Sequence, residues 1–409
     1  MPHILLAVTG MSPQVVTETL YGMVQQGIRW PDHIQLITTT RGEASLREGL
    51  FEHGHLAALC RQLGKPTITE ENVEVLVVPG ASGQPVEDAR TVADHEALAD
   101  FIMNTVRRLT ADDSNVVHAS IAGGRKTMTF YLGYAMSLFG RPGDRMSHVL
   151  VSEGYEGLHD FYFPTRESQL IHNRDGDQLD AREARVSLAD IPFIRQRDEL
   201  PTLLREPGEA MSFRKLVDLI NLGDRPEDIG IELHAGEMRL DIFDGQRLLE
   251  SVDFGNRFDW TWYQVVVTAT RADDASLKRG ENDRELAEER GWRVMEALGK
   301  ALDIPASREM GYRNQLKAWL GEHEQTLEAA GIRPIDFDAN LVRGLDVSQV
   351  TNRINHRLKS CLPERLAAFV TIGLYFDPAT GQHLRYAKTR KRGGGYGVSL
   401  GAEQIRLLG

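Results

Sequence analysis

Three short loops contain residue types that bind anions. Residues 118–133 read HASIAGGRKTMTFYLG, which places two glycines, an arginine and a lysine between a predicted strand and a predicted helix. The segments TGMSPQ (residues 9–14) and TTTRGE (residues 38–43) occupy the same kind of position earlier in the chain. Unpaired N–H groups and the helix dipole favour negative charge at the start of a helix. The sequence therefore predicts a ligand that carries phosphate groups.

Neither the loop in residues 118–133 nor TGMSPQ completes a known nucleotide-binding motif. A P-loop requires G-x-x-x-x-G-K-[ST], whereas Lys126 follows Arg125, and TGMSPQ lacks the second and third glycines of the dinucleotide fingerprint. Two structural interpretations stay open beside anion binding: a tight turn with solvated cations at Arg125 and Lys126, and a helix N-cap at Ser12 followed by Pro13 at the first helical position. Arginine and lysine are disfavoured at a helix N-terminus, so a bound anion would account for their presence.

The first part of the chain alternates apolar runs with amphipathic segments. The predicted strands are HILLAVTG, HIQLITTT, NVEVLVVPG, NVVHASIAGG and SHVLVSEGY, with HDFYFP closing the set. Helical spacing follows most of them, for example in PQVVTETLYGMVQQG and from about residue 42 to 63. Nearly continuous apolar strands that alternate with helices predict a parallel sheet covered on both faces. We expect residues 1–165 to form an α/β domain with a Rossmann-like parallel sheet.

The pattern changes after residue 165. Residues 166–209 are polar with little periodicity, which predicts a linker or an extended arm. Residues 210–409 begin with a helix in MSFRKLVDLINL and continue through alternating runs to the helical WTWYQVVVTATRA. LDVSQVTNRINHRLKSCL then precedes two short strands joined by a glycine-containing turn, which is the plan of a winged helix. We expect an α+β, winged-helix-like C-terminal region.

Composition limits the possible function classes. The net charge is −12, with 41% hydrophobic and 26% charged residues, which argues against a chain coated for nonspecific nucleic-acid binding. Cys60 and Cys361 are the only cysteines and predict neither a disulfide framework nor a zinc cluster, as expected for a cytoplasmic protein. No run approaches the ~20 apolar residues of a membrane span. The N-terminal MPHILLAVTG predicts a first strand rather than a signal peptide.

A family resemblance rests on two of the loops together. LLAVTGMSPQVVTETLYGM, followed about a hundred residues later by SIAGGRKTMTFYLGYAMSLFG, is similar to the CRISPR-associated Rossmann-fold (CARF) domain. It resembles the branch in which a Ser-Pro turn after strand one faces a Gly-Gly-x-Lys loop after a later strand. The resemblance covers residues 1 to about 165. It implies a homodimer that binds a cyclic oligoadenylate, most often cyclic tetra-adenylate, across the two-fold axis, without cofactor or metal.

The resemblance also implies ring cleavage. Some CARF domains open the ring by attack of a ribose 2′-OH on the adjacent phosphate, with Ser12 and Lys126 at the positions that matter most and Arg125 as an additional source of charge. No general base stands out in the sequence. The expected ligand-binding residues are Thr9, Gly10, Met11, Ser12, Pro13, Gln14, Thr40, Arg41, Gly123, Gly124, Arg125, Lys126 and Thr127.

The C-terminal region offers a second candidate function. RYAKTRKR (residues 385–392) resembles the wing of winged-helix transcription factors, and VSQVTNRINHRLK (residues 347–359) would be the recognition helix. Such a helix and wing predict phosphate contacts and salt-sensitive DNA binding, although a solvated hairpin in a packing domain is the equal alternative. The expected nucleic-acid contacts are Arg353, Arg357, Arg385, Lys388, Arg390, Lys391 and Arg392.

Three functions follow, in order of support. The first is a metal-independent ring nuclease that switches off the cyclic oligoadenylate signal of type III CRISPR defence. The second is a non-catalytic, ligand-gated DNA-binding regulator, which the basic run at 385–392 favours. The third is a CARF effector nuclease, which is weaker because Arg353 and His356 are too close for the expected Arg–His ribonuclease spacing and no acidic-plus-lysine core is evident.

Overall fold

The fold was obtained as a computed structural model. It describes residues 1–80, 83–173, 175–206, 208, 210–274, 277, 283–306, 308, 312–332, 348–377, 382–385 and 396–408. The chain divides into two compact units. Unit 1 comprises Met1–Leu200 with Leu204–Arg214, and unit 2 comprises Pro201–Leu203 with Lys215–Gly409.

Unit 1 is built on a six-stranded sheet of order β3-β2-β1-β4-β5-β8, in which β1 to β5 are parallel and β8 runs antiparallel to β5. A small hairpin of β6 and β7 lies outside this sheet. The predicted Rossmann-like parallel sheet is therefore present. The strands are β1 His3–Val8, β2 His33–Thr38, β3 Val73–Val77, β4 Val116–Ser120, β5 Arg145–Val151, β6 Leu170–His172, β7 Gln178–Asp180 and β8 Val186–Asp190.

Helices cover this sheet because its strands are apolar on both sides. On one face Leu5 and Ala7 of β1 form a core with Val16 and Leu20 and with Leu59. Leu6 and Val8 alternate with these residues along β1 and are also fully buried. Two further helices, Val92–Ala111 and Lys126–Phe139, pack against each other, and they contact β4 and β1. The helices are α1 Gln14–Gln25, α2 Thr40–Leu46 with a π-helical continuation Arg47–Glu52, α3 His55–Leu63, α4 Val92–Ala111 and α5 Lys126–Phe139.

Three segments of unit 1 differ from the sequence prediction. Residues 166–209 are not simply a linker, because they contain β6, β7 and β8 and belong largely to unit 1. HDFYFP is not a strand; Tyr162 is buried in irregular backbone and its carbonyl accepts a hydrogen bond from Thr17 Oγ1 at 2.7 Å. The single helix expected over 42–63 is interrupted at Gly54, whose φ of 70° a helix cannot contain.

Unit 2 contains a separate four-stranded sheet of order β11-β10-β9-β14. Its core contains the fully buried aromatic residues Trp260, Trp262 and Tyr263, from the helix that was predicted in WTWYQVVVTATRA. A two-stranded hairpin, β12 with β13, is separate from this sheet. The strands are β9 Ile229–His234, β10 Arg239–Asp244, β11 Arg247–Asp253, β12 Leu374–Asp377, β13 Gln382–Arg385 and β14 Ile405–Leu408. The remaining helices are α6 Thr202–Arg205, α7 Phe213–Leu222, α8 Arg257–Arg271, α9 Asp283–Leu302, α10 Tyr312–Glu322, α11 Glu324–Ala329, α12 Ser348–Cys361 and α13 Glu364–Val370.

The winged-helix prediction is met only at the level of its elements. The predicted helix forms as α12 and the predicted strands form as β12 and β13, with α13 between them. The main sheet of unit 2, from β9 to β11 with β14, has no place in that plan. A winged-helix-like arrangement therefore stays a prediction.

Candidate functional site

The strand order brings the two predicted loops to one place. β1 and β4 are neighbours, and the sheet continues through β2 on one side and through β5 on the other. This is the switch point of a doubly wound sheet, where a crevice opens beyond the carboxyl ends of the strands. The TGMSPQ loop follows β1 and the AGGRKT loop follows β4. Residues more than a hundred positions apart therefore meet at the same edge.

The contact between these loops depends on glycine. A Cβ placed on Gly10 would lie 3.5 Å from Gly124 Cα, and a Cβ on Gly123 would lie 2.9 Å from both Val8 O and Val15 Cγ2. Gly124 adopts a φ of 81°, which side chains disfavour. The glycine pair thus allows the loop after β4 to lie directly against the backbone of the loop after β1.

Both loops lead directly into helices. α1 begins at Gln14 and α5 at Lys126, and neither N-terminus receives a side-chain capping hydrogen bond. Pro13 has the helical backbone geometry predicted for the first helical position, so the N-cap interpretation of Ser12 stays a prediction. Within the described residues, the Ser12 hydroxyl has no hydrogen-bond partner. Two uncapped helix starts provide an environment suited to an anion.

Arg125 and Lys126 are neighbours with different surroundings. The Arg125 guanidinium pairs with Asp88, with Nε 3.1 Å from Oδ1, and this hydrogen bond is the main reason why the pKa of Asp88 is lowered. Both partners are partly open to solvent, with 45% and 23% of their side chains exposed. Lys126 is exposed and forms no ion pair with any residue that the structure describes. Lys126 is thus the cation of this loop that is ready for a ligand.

The remaining predicted contacts are turned to other partners. Arg41 Nη2 lies 2.8 Å from Glu87 Oε1, and the Thr40 N–H donates to Val86 O at 3.0 Å. Thr127 Oγ1 lies 3.2 Å from His95 Nδ1. Thr9 is fully buried below the loop. None of these four residues is among those that line the cavity between the loops.

A cavity of about 280 Å³ lies between α1, the two glycine-containing loops and the end of β5. It includes six of the predicted residues, but not Lys126, Arg125, Thr40 or Arg41. Its wall continues into residues that the sequence prediction missed, notably Glu18, His148 and Glu156. The predicted residues that line it are Gly10, Met11, Ser12, Gln14, Gly123 and Gly124.

Glu18 is the missed residue with the most unusual environment. Its side chain is 5% exposed, and burial together with the charge of Glu156 raises its pKa to about 8. At neutral pH the carboxyl is therefore mostly protonated. The sequence contained one signal: a glutamate between Thr17 and Thr19 on the buried side of an apolar helix, where a charged residue is rarely placed without a role.

The predicted nucleic-acid residues of α12 contact other parts of unit 2. Arg353 pairs with Asp259, with Nε 3.2 Å from Oδ2, and Arg357 Nε donates to Asp253 O at 3.1 Å. The Arg385 side chain and residues Lys388, Arg390, Lys391 and Arg392 lie outside the described residues. The basic run therefore stays a prediction.

The described residues contain neither a cluster of metal ligands nor a membrane-spanning helix. Among the described residues, no group of three or more histidine, cysteine or acidic side chains is arranged to hold a metal ion. Likewise, none of the helices in the described part of the chain has both the length and the hydropathy to cross a membrane.

Comparison with known proteins gives a family. No curated protein sequence matches the chain at a significant level. A family model described as CRISPR-associated protein NE0113 matches residues 12–220, which is just over half of the chain. The match contains most of unit 1, with the AGGRKT loop and residues 12–14 of the TGMSPQ loop. The chain therefore belongs to the CRISPR-associated protein NE0113 family.

Proposed function

We propose that the protein binds a cyclic oligoadenylate, with cyclic tetra-adenylate as the first candidate, and opens the ring. One observation carries this proposal: the loops after β1 and β4 touch at the switch point, and each leads into a helix whose N-terminus is uncapped. Membership of a CRISPR-associated family supports the same conclusion. The resemblance of the two loops to the CARF domain supplies the ligand class.

The proposed reaction requires no group beyond the ligand and these residues. The 2′-oxygen of one ribose bonds to the adjacent phosphorus while the bond from phosphorus to the 5′-oxygen breaks. The 2′-OH proton leaves to solvent, and the departing 5′-oxygen takes up a proton. The products are a 2′,3′-cyclic phosphate and a 5′-OH. The protein contributes by aligning the ribose with the phosphate and by stabilising the additional negative charge of the phosphorane.

Each residue has a proposed part in this reaction. The Lys126 ammonium balances charge on the phosphorane, because it is exposed at the first position of α5. The Ser12 hydroxyl and the N–H groups near it hold a phosphate oxygen or orient the ribose. Arg125 contacts the phosphate only when the ligand displaces Asp88. The Arg125–Asp88 ion pair is partly exposed, and such pairs contribute little stability.

A second copy of the chain would complete the site. A ring of identical nucleotides has the rotational symmetry of a two-fold dimer, so each protomer would contribute one pair of loops. The proposal therefore includes a homodimer that acts in the cytoplasm.

The alternative is a DNA-binding regulator that the ligand controls. The helix α12 with the hairpin of β12 and β13 is the observation that favours it. Arg353 and Arg357 would not be its main contacts, because both already have partners in unit 2. This alternative depends on the basic run at residues 385–392.

The test is incubation of the purified protein in EDTA with labelled cyclic tetra-adenylate, followed by separation of cyclic from linear product. We expect linear oligoadenylate with a 2′,3′-cyclic phosphate. Lys126→Ala should slow the reaction at least about 100-fold, which is typical for loss of one charge-stabilising donor. Lys317→Ala removes an exposed lysine in unit 2 and should keep the full rate. An intact ring after long incubation would refute the nuclease proposal.

Binding and cleavage are separated by the same variants. If the ring binds but stays intact, the regulator alternative gains support, and a gel shift with DNA upstream of the gene, with and without ring, becomes the next measurement. Failure to bind this DNA at low salt would remove the regulator alternative.

A further inference from the structure

Glu18 occupies a position that the proposed ring opening does not use. It is the fifth residue of α1 and lines the cavity together with Val15 and Gly123. Its side chain is 95% buried, and within the described residues its carboxyl receives no hydrogen bond. Burial of an unpartnered carboxyl is costly, so its position is explained best by a partner that enters the cavity.

The size and lining of the cavity indicate the shape of that partner. A cavity of about 280 Å³ lies at the lower end of ligand pockets, which are typically about 300–1,000 Å³. Its walls include the apolar residues Val15, Val149 and Val151 and the flat backbone of Gly123 and Gly124. Such a space suits one planar base rather than a whole nucleotide ring.

We propose that the Glu18 carboxyl recognises the edge of an adenine base that enters this cavity while the phosphates lie at the uncapped starts of α1 and α5. The choice of adenine rests on the proposed function, whereas the position of a base beside Glu18 rests on the cavity. Glu18 is then a specificity-determining residue of the ligand site.

The protonation state of Glu18 gives the recognition its chemistry. A protonated carboxyl has one O–H donor and an acceptor oxygen, whereas a carboxylate only accepts. Adenine presents an amino donor beside a ring-nitrogen acceptor on both of its hydrogen-bonding edges. The neutral carboxyl therefore forms two hydrogen bonds with adenine, and the ionised form opposes the ring nitrogen with a second acceptor. Because burial and Glu156 raise the pKa of Glu18 to about 8, the neutral form dominates at neutral pH.

The neighbours of Glu18 support this state. The elements α3, β5 and β8 pack against α1, and with the loop after β5 they contribute the titratable groups His55, Cys60, Arg61, Arg145, His148, Glu153, Tyr155, Glu156, His159, Asp160, Tyr162, Arg166, Glu167 and Asp190. Of these, His148 and Glu156 line the cavity with Glu18. Asp190 pairs with Arg145, and the His55 ring stacks on Tyr162. No arginine or lysine is among the described residues that line the cavity, so the ionised carboxyl gains no cation there.

The experiment measures binding at several pH values with ligands that cannot be cleaved. One probe is adenosine, and the other is cyclic tetra-adenylate whose riboses carry 2′-O-methyl groups, which prevent cleavage. Neither the adenine base nor the phosphodiester groups titrate between about pH 7 and pH 9.5. For the wild-type protein we expect constant affinity near neutral pH and a fall that approaches about tenfold per pH unit above pH 8, because only the protonated carboxyl binds.

Two variants isolate the carboxyl. Glu18→Gln keeps one donor and one acceptor without a proton to lose, so its affinity should stay within about threefold of the wild type at neutral pH and become independent of pH. Glu18→Ala should lose about tenfold in affinity for both probes at neutral pH. Circular dichroism of each variant checks that it is folded, and the isosteric glutamine variant keeps the test decisive if the alanine variant unfolds.

The outcomes separate this inference from the proposed function. Ring binding with the same pH profile in the wild type and in Glu18→Gln would overturn the inference and leave the proposed function intact. Adenosine binding that depends on Glu18, without any ring binding, would overturn the proposed function and support the inference. Absence of binding for both probes would overturn both.

Discussion

The cations at the switch point of unit 1 and those of α12 in unit 2 look alike in sequence but differ in their surroundings. Lys126 is exposed without an ion pair in the described part of the chain, and Arg125 is held by a partly exposed aspartate. Arg353 instead contacts Asp259, whose side chain is only 13% exposed, and Arg357 binds a backbone carbonyl. In the proposed function the first pair is free to bind a ligand, whereas the second pair contacts other parts of unit 2.

This difference shows what decides whether a basic residue is available. Asp88 and Asp259 lie 37 and 94 positions from the arginines that they contact. Their influence cannot be recognised from a local run of charge. A basic helix face predicts nucleic-acid binding only when the opposing elements leave it unpaired.

The largest expected effect on stability comes from separating the two loops of unit 1. Gly123→Ala would place a methyl group 2.9 Å from Val8 O, a backbone atom that cannot move aside easily. We expect a loss of about 1–3 kcal/mol in the free energy of unfolding of unit 1, as for other overpacked positions, and at least tenfold weaker ring binding. Urea denaturation and ring titration measure the two effects.

Gly133→Ala is the matched control for this change. A Cβ at Gly133 in α5 would meet nothing nearer than Met146 Sδ at 3.8 Å, and alanine favours a helix interior by up to about 1 kcal/mol. Unchanged ring binding is expected for it. If Gly123→Ala binds the ring as well as Gly133→Ala does, close contact between the loops is not required for the site.

An intermediate effect is expected in unit 2. Arg353→Ala removes the pair with Asp259 and should lower the free energy of unfolding of unit 2 by about 1 kcal/mol, because the carboxylate it leaves is largely buried. The rate of ring opening should not change. Thermal unfolding and the cleavage assay check both statements. Arg271→Ala, at an exposed arginine without an ion pair among the described residues, should change neither quantity.

A different result for Arg353 would weaken the contrast between the units. Full stability together with a loss of DNA binding in Arg353→Ala would mean that this arginine leaves Asp259 for a nucleic acid, in which case α12 is a binding surface after all.

The smallest expected effect comes from removing the charge of Asp88, which pairs with Arg125. Asp88→Asn keeps the shape of the side chain but removes its charge, so Arg125 becomes easier for a phosphate to attract. We expect about two- to threefold tighter ring binding at low salt and no difference at high salt, because exposed ion pairs are weak and screened. Titration of the uncleavable ring at both salt concentrations measures this. Weaker binding in Asp88→Asn would show that Asp88 positions Arg125 instead of competing for it.

Much of unit 1 was predictable because its strands and helices follow local periodicity. Apolar runs such as HILLAV and the spacing of Val16, Leu20 and Met23 specify strand and helix without knowledge of their partners. The meeting of the loops after β1 and β4 was predictable as well, since the carboxyl ends of parallel strands share one edge. The sequence could not indicate β8, because Val186–Asp190 has only five residues inside a largely polar segment and becomes a strand through pairing with β5.

The candidate site was predictable in its loops but not in its cavity. Gly10, Ser12, Gly123 and Gly124 line it as expected. Glu156 was missed because it belongs to an irregular segment after β5 that no periodicity connects to α1. The partners of Arg41 and Arg125, Glu87 and Asp88, were missed for the same reason.

The antiparallel pairing of β8 with β5 has a consequence for the order in which the protein is made. Gly22 of α1 packs closely on Leu188 of β8, so the helix that carries Glu18 is fully supported only by a segment synthesised more than 150 residues later. A nascent chain of 165 residues would therefore have an unpaired β5 edge, which is open to pairing with other chains. The candidate site is therefore completed late in translation, since the unit that contains it continues to Leu200 and resumes at Leu204–Arg214.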